Sequence, residues 1–109
     1  MLISDTLVQQ AFDWLKENAE PSAAARAARI RAEHNTKRVK AQQFLAHEGS
    51  VAERDAQAIA SAEYDEAVEA ECLAVEADEF HRNQRNKAEA IIDAWRTEQS
   101  NYRAMQRVG

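Results

Sequence analysis

The chain has 109 residues, with 14 Lys and Arg against 19 Asp and Glu for a formal net charge of −5, and with only two glycines, one proline and one cysteine. That length suits a single domain with a modest core. The scarcity of Gly and Pro beside abundant Ala, Glu, Gln and Arg selects helix almost throughout, and one cysteine excludes a disulfide framework.

The opening segment MLISDTLVQQAFDWL has neither a basic start nor a continuous apolar run, so it reads as neither signal peptide nor membrane anchor, and a cytoplasmic location is expected. Ser4 or Asp5 can cap a short first helix within residues 1–20. Leu7, Ala11, Phe12, Trp14 and Leu15 supply its apolar face. Pro21 in AEPS ends it and suits the first turn of a second helix over 21–48. Over residues 21–47 this second helix carries Arg26, Arg29, Arg31, Lys37, Arg38 and Lys40 against Glu33 alone. Its apolar residues are Ile30, Val39, Phe44 and Leu45 among many alanines, so its seam must be narrow.

Gly49 stands where helices commonly end, and Ser50 with Glu53 forms a capping box that starts again. Residues 49–60 therefore read as a connector with a short helix. Ser61 is a further cap, and residues 61–107, free of Gly and Pro, read as one helix of about 65–70 Å. Tyr64, Val68, Cys72 and Val75 make one apolar stripe on it, with Leu73, Ala77 and Phe80 beside them. Ala88, Ile91, Ile92, Trp95 and Tyr102 make a second block. Cys72 is expected as a buried thiol, since free cysteines behave as small hydrophobes.

The charges fall in blocks. Residues 48–79 hold eleven acids against Arg54 alone, whereas 80–109 hold six basic residues against three acids. Folding the second helix back on the last sets Lys37, Arg38 and Lys40 along Glu69 and Glu71, and leaves Arg26, Arg29 and Arg31 level with His81, Arg82, Arg85 and Lys87 with few acids opposed. Between the two apolar blocks, DEFHRNQRNK is polar on every side for most of two turns. The helix there faces a ligand or a second chain rather than its own core; the alternative is a solvated polar belt. The expected fold is all-α: a long antiparallel helical hairpin, coiled-coil-like, with a short N-terminal helix. Seven aromatics are few for a compact monomer, so a homo-oligomer is expected, with Ile91, Ile92, Trp95 and Tyr102 in its seams or core.

No Gly-rich phosphate loop, nucleophile elbow or zinc cluster occurs. Asp78 with His81 copies half of the carboxylate–imidazole spacing of bundle metal sites, which need that unit twice. Neither enzyme activity, cofactor nor metal is expected.

Two stretches, GSVAERDAQAIASAEYDEA and IIDAWRTEQSNYRA, carry a resemblance over about residues 26–105. With the basic helix before them, the AERxA connector and the WRT segment ending a long helix, they resemble the recombination mediator (UvsY-like) family of small helical phage proteins. The resemblance implies a non-enzymatic accessory of phage DNA recombination, acting in the cytoplasm of the infected host. Such an accessory binds single-stranded DNA without base preference as a ring-like oligomer, and helps a recombinase displace a single-strand-binding protein. Arg26, Arg29, Arg31, Lys37, Arg38 and Lys40 match the family's basic helix and take its DNA role, while Arg82, Arg85 and Lys87 in the polar belt extend it. The chain departs from the family type in its overall acidity and its aromatic first helix. The competing reading is a protein-binding coiled-coil adaptor or assembly chaperone, in which basic and acidic blocks pair between subunits without nucleic acid.

Overall fold

A computed structural model describes residues 2–108. Among them four helices and no strand occur: α1 (Asp5–Glu17), α2 (Ala19–Ala46), α3 (Val51–Ile59) and α4 (Ala62–Val108). Three serines start three of them. The Ser4 hydroxyl accepts from the Leu7 amide at 3.1 Å, that of Ser50 from Glu53 at 3.2 Å and that of Ser61 from Tyr64 at 3.2 Å, each answering a donor that the first helical turn leaves open. Asn18 closes α1, its backbone and side-chain amides both donating to the Trp14 carbonyl. Helix α2 begins at Ala19, two residues before Pro21, because a missing N–H costs nothing in a first turn. It ends at Ala46, and Gly49 follows with φ of +119°, a backbone conformation that L side chains rarely adopt.

The chain divides into two compact units, Met1–Ser22 with Phe80–Gly109, and Ala23–Glu79. The first is built on α1 and the later part of α4. Ala11, Ala88 and Ile92 are buried together, with Trp14, Leu15 and Ile91 packed against them. Val8 and Ala11 are the buried residues of α1, and Phe12 sits at the rim, 39% exposed. The expected face of α1 is thus turned toward Val8. Small Ala11 and Ala88 let the helices approach closely enough for this face to form. Ahead of α1, the backbone amides of Leu2 and Ile3 donate to the two carboxylate oxygens of Glu98, tethering the segment to α4.

The second unit is thinner in apolar content. Its buried hydrophobic residues are Ala58 and Ala67, and α2 contributes none. Tyr64, Val68 and Val75 of α4 are half-buried, in line with the expected stripe, but Cys72 is exposed. The inward row runs through Glu71 and Ala74 instead. Against an alanine-rich partner helix, a glutamate can lay its methylenes inward and keep its carboxylate wet, whereas Cys72, about 100° further round the helix, points to solvent.

Polar contacts make up for the shortage of apolar area. The Thr36 hydroxyl donates to the Ala32 carbonyl and lies 3.3 Å from that of Ala67. Lys40 reaches Asp55 at 3.5 Å, and the Arg54 guanidinium lies over the Phe44 ring, 5.8 Å from its centroid.

Candidate nucleic-acid interface

Arg29 projects from α2 into a ring of carboxylates. Its Nε meets Glu33 Oε1 at 2.9 Å, and its Nη1 meets Asp78 Oδ2 at 3.2 Å and Glu79 Oε1 at 3.0 Å. Hydrogen bonds to Glu33 first, then to Glu79 and Asp78, raise the guanidinium pKa above its already high ordinary value. The group therefore stays charged at any pH at which the protein is handled. Asp78, 6% exposed, is the only buried charged residue among those described. Burial of a carboxylate is tolerated where a fixed cation answers it, and Arg29 is that cation.

This corrects the expectation that Arg29 faces few acids. Two of its partners come from α4, within one turn of His81, the level at which folding back the second helix set Arg29. It also alters the reading of the polar belt. Asp78 is turned onto α2 within the second unit. In the first unit His81 is half-buried, its Nδ1 3.4 Å from the Ser22 hydroxyl and its ring edge-on to Phe80 at 5.9 Å. At 78 and 81 the inward row of α4 has changed from apolar to polar rather than turned away from its own chain.

The other candidate cations divide by environment. Lys40 is spent on Asp55. Arg26, Arg31, Lys37 and Arg38 are exposed and carry no carboxylate partner among the described residues, so the expected pairing of Lys37 and Arg38 with Glu69 and Glu71 does not occur. These four lie on the solvent side of α2 as two edges, Arg26 with Lys37 and Arg31 with Arg38, set about 120° apart by the helical repeat. In the first unit, Arg82, Arg85 and Lys87 are exposed on α4; Arg82 has an interaction of its own. Of the residues expected in a core or seam, Ile92 is buried, Ile91 and Trp95 are half-buried, and Tyr102 is 56% exposed. The Trp95 indole N–H is buried without a protein acceptor.

A cleft of the first unit, lined by Leu7, Gln10, Ala11 and Trp14 of α1 and by Gln84, Lys87, Ala88 and Ile91 of α4, has Lys87 as its one charged wall. Among the described residues no three His, Cys, Asp or Glu side chains converge as metal ligands, and no helix is long and apolar enough to cross a membrane. Comparison of the chain with family models, with curated proteins and with solved structures gives no match.

Proposed function

We propose that the protein is a non-enzymatic accessory of phage DNA recombination that binds single-stranded DNA through charge, works as a homo-oligomer and assists the loading of a recombinase. The observation that carries the DNA part is the set of four exposed cations on α2 without carboxylate partners, Arg26, Arg31, Lys37 and Arg38, in a chain whose net charge is negative. Unpaired guanidinium and ammonium groups along one helix are what sequence-independent phosphate contact requires. The recombination context rests on the family resemblance of the connector and WRT segments.

Oligomerisation and a hairpin pairing of α2 with α4 belong to the same proposal. Arg29 meets Asp78 while Thr36 meets Ala67, so one number rises as the other falls, which supports an antiparallel run within the second unit. Wide exposure of Leu45, Leu73 and Tyr102 supports association with further chains. With few exposed rings near the cations, single-site affinity is low and multiplicity supplies the rest.

Fluorescence anisotropy of a labelled oligonucleotide tests the DNA reading. The expected result is binding near 50 mM salt that weakens steeply toward 200 mM, with a slope of about 0.7 per phosphate neutralised. Absence of binding at the lower salt by a well-formed oligomer overturns it in favour of the adaptor reading. That second reading draws on one observation of its own, the diversion of Arg29 and Lys40 to carboxylates of the chain itself.

A further inference from the structure

The second unit carries two stripes that are exposed at most of their positions. On α2, Ala23, Ala27, Ile30 and His34 recur at alternating steps of four and three, Lys37 and Ala41 continue the rhythm, and Ile30 is 46% exposed. On α4, Ala70, Leu73 and Ala77 recur in the same rhythm, and Leu73 is 66% exposed. This is the a/d spacing of a coiled-coil seam, and it lies apart from the rows that carry Arg29 and Thr36 on α2 and Ala67 and Asp78 on α4. The α2 stripe is edged by Arg31 and Arg38, one heptad apart. The α4 stripe is edged by Glu69 and Glu76, also one heptad apart, and all four are exposed without ion-pair partners among the described residues.

We infer that α2 of one copy docks in parallel along α4 of a second copy, Ile30 against Leu73, with Arg31 paired to Glu69 and Arg38 to Glu76. The register follows from the heptad rule. In a parallel pair the residue just before one seam position faces the residue just after the seam position that follows on the partner. Setting Ala27 level with Ala70 brings Ile30 level with Leu73 and His34 level with Ala77, and matches both charge pairs at once. The antiparallel alternative sets Glu69 and Glu76 against the other edge, where Arg26 can answer one of them but Glu33, one heptad on, repels the other and Lys40 is held by Asp55, so it matches fewer charges than the parallel register. Small Ala27, Ala70 and Ala77 permit close approach, and the opposed charges select this register over a slipped one.

The two stripes differ, so the contact is head-to-tail: each copy offers α2 to one neighbour and α4 to the other, and the assembly closes as a ring or continues as a filament. The inference rests on the oligomeric part of the proposed function and not on its DNA part. It assigns Arg31 and Arg38 to the neighbouring copy, places Lys37 at the seam step between His34 and Ala41, and leaves Arg26, on the opposite edge of α2, to phosphate.

Sedimentation velocity on the full chain, with circular dichroism as a check on folding, tests the contact by charge exchange. Glu69→Arg with Glu76→Arg, and separately Arg31→Glu with Arg38→Glu, are each expected to weaken association by roughly tenfold or more and shift mass toward the 12.3 kDa protomer with helicity unchanged. The quadruple variant is expected to recover assembly. Ile30→Lys, at an exposed position and so without cost to the fold, is expected to dissociate the assembly by itself. A wild-type chain that is monomeric at 100 µM overturns the oligomeric reading and this contact with it. A wild-type oligomer indifferent to both charge reversals, or a quadruple variant that fails to reassemble, overturns the contact alone.

Discussion

Asp78 and Arg29 form an unequal pair, and the inequality predicts how each fails. If Asp78 is replaced by Ala, Arg29 keeps Glu33 and Glu79 and remains half open to water. If Arg29 is replaced by Ala, a buried carboxylate loses its cation, and an orphaned buried charge is the costlier defect. Arg29→Ala is therefore expected to lower the thermal midpoint more than Asp78→Ala, and equal losses in a thermal melt would contradict the assignment of Asp78 as buried. In the first unit, Ile92 is 4% exposed between α1 and α4. Ile92→Ala should cost about 2–4 kcal/mol in urea unfolding, whereas Leu73→Ala, at a 66% exposed position, should leave protomer stability nearly unchanged. On the DNA side, Arg26→Ala should lower both the affinity for single strands and its salt slope while leaving the assembled mass intact, read by anisotropy and sedimentation on the same preparation.

At the scale of the helix, ends were legible in the sequence, as were the faces that pack α1 on the later part of α4, whereas the face of α4 in the second unit was read only in part. Ser4, Ser50 and Ser61 each act on an amide three residues away, and chemistry that local is written in adjacent letters. Gly49 is legible for the same reason, and its φ of +119° gives it a test. A Cβ there would come 2.5 Å from Glu53 Oε2, the far end of a flexible side chain that can swing aside, but the backbone strain stays. Gly49→Ala should cost about 1–3 kcal/mol in thermal or urea unfolding, and removing the side chain with Glu53→Ala should not restore it. The buried face of α4 was harder to read because two neighbouring stripes compete, one through Cys72 and one through Leu73. With α2 supplying chiefly alanine, neither wins on apolar area. What decides is a set of polar residues that hydropathy scores as outward: Glu71 lies half-buried, and Asp78 is buried on Arg29. The basic residues of α2 were legible as a group. Their division into Arg29 and Lys40, spent internally, and Arg26, Arg31, Lys37 and Arg38, left outside, depends on contacts with Asp55, Asp78 and Glu79 that sequence spacing does not reveal.

For the molecule as a whole, the balance of buried and exposed groups bears on how it functions. Six hydrophobic residues are buried among those described, and four of them are alanines. Burial is worth about 25 cal/mol per Å², and alanine contributes little of it. The stability of the protomer is thus expected to depend on concentration, as it does wherever folding and association are linked. A thermal midpoint that rises as the chain is taken from 1 to 100 µM would show that linkage, and a midpoint independent of concentration would place the whole of the stability within one copy.

The bond from Arg29 to Asp78 has a consequence for folding fidelity. An alanine seam is nearly featureless, and a helix sliding by one heptad along it would find almost the same surface. Together with Thr36 at the Ala67 carbonyl, the ion pair marks one position along that surface, as a single polar residue can fix alignment in a coiled coil. Replacing both Arg29 and Asp78 by Leu is expected to preserve or raise the melting temperature while loosening the alignment. Spin labels on the exposed Cys72 and on a cysteine introduced by Ala24→Cys would report it, as one narrow distance in the parent and a broad or split distribution in the double variant. The charged residues inside this thin unit would then act as an index mark: they give up some cohesion so that the chain settles in one alignment and not in several.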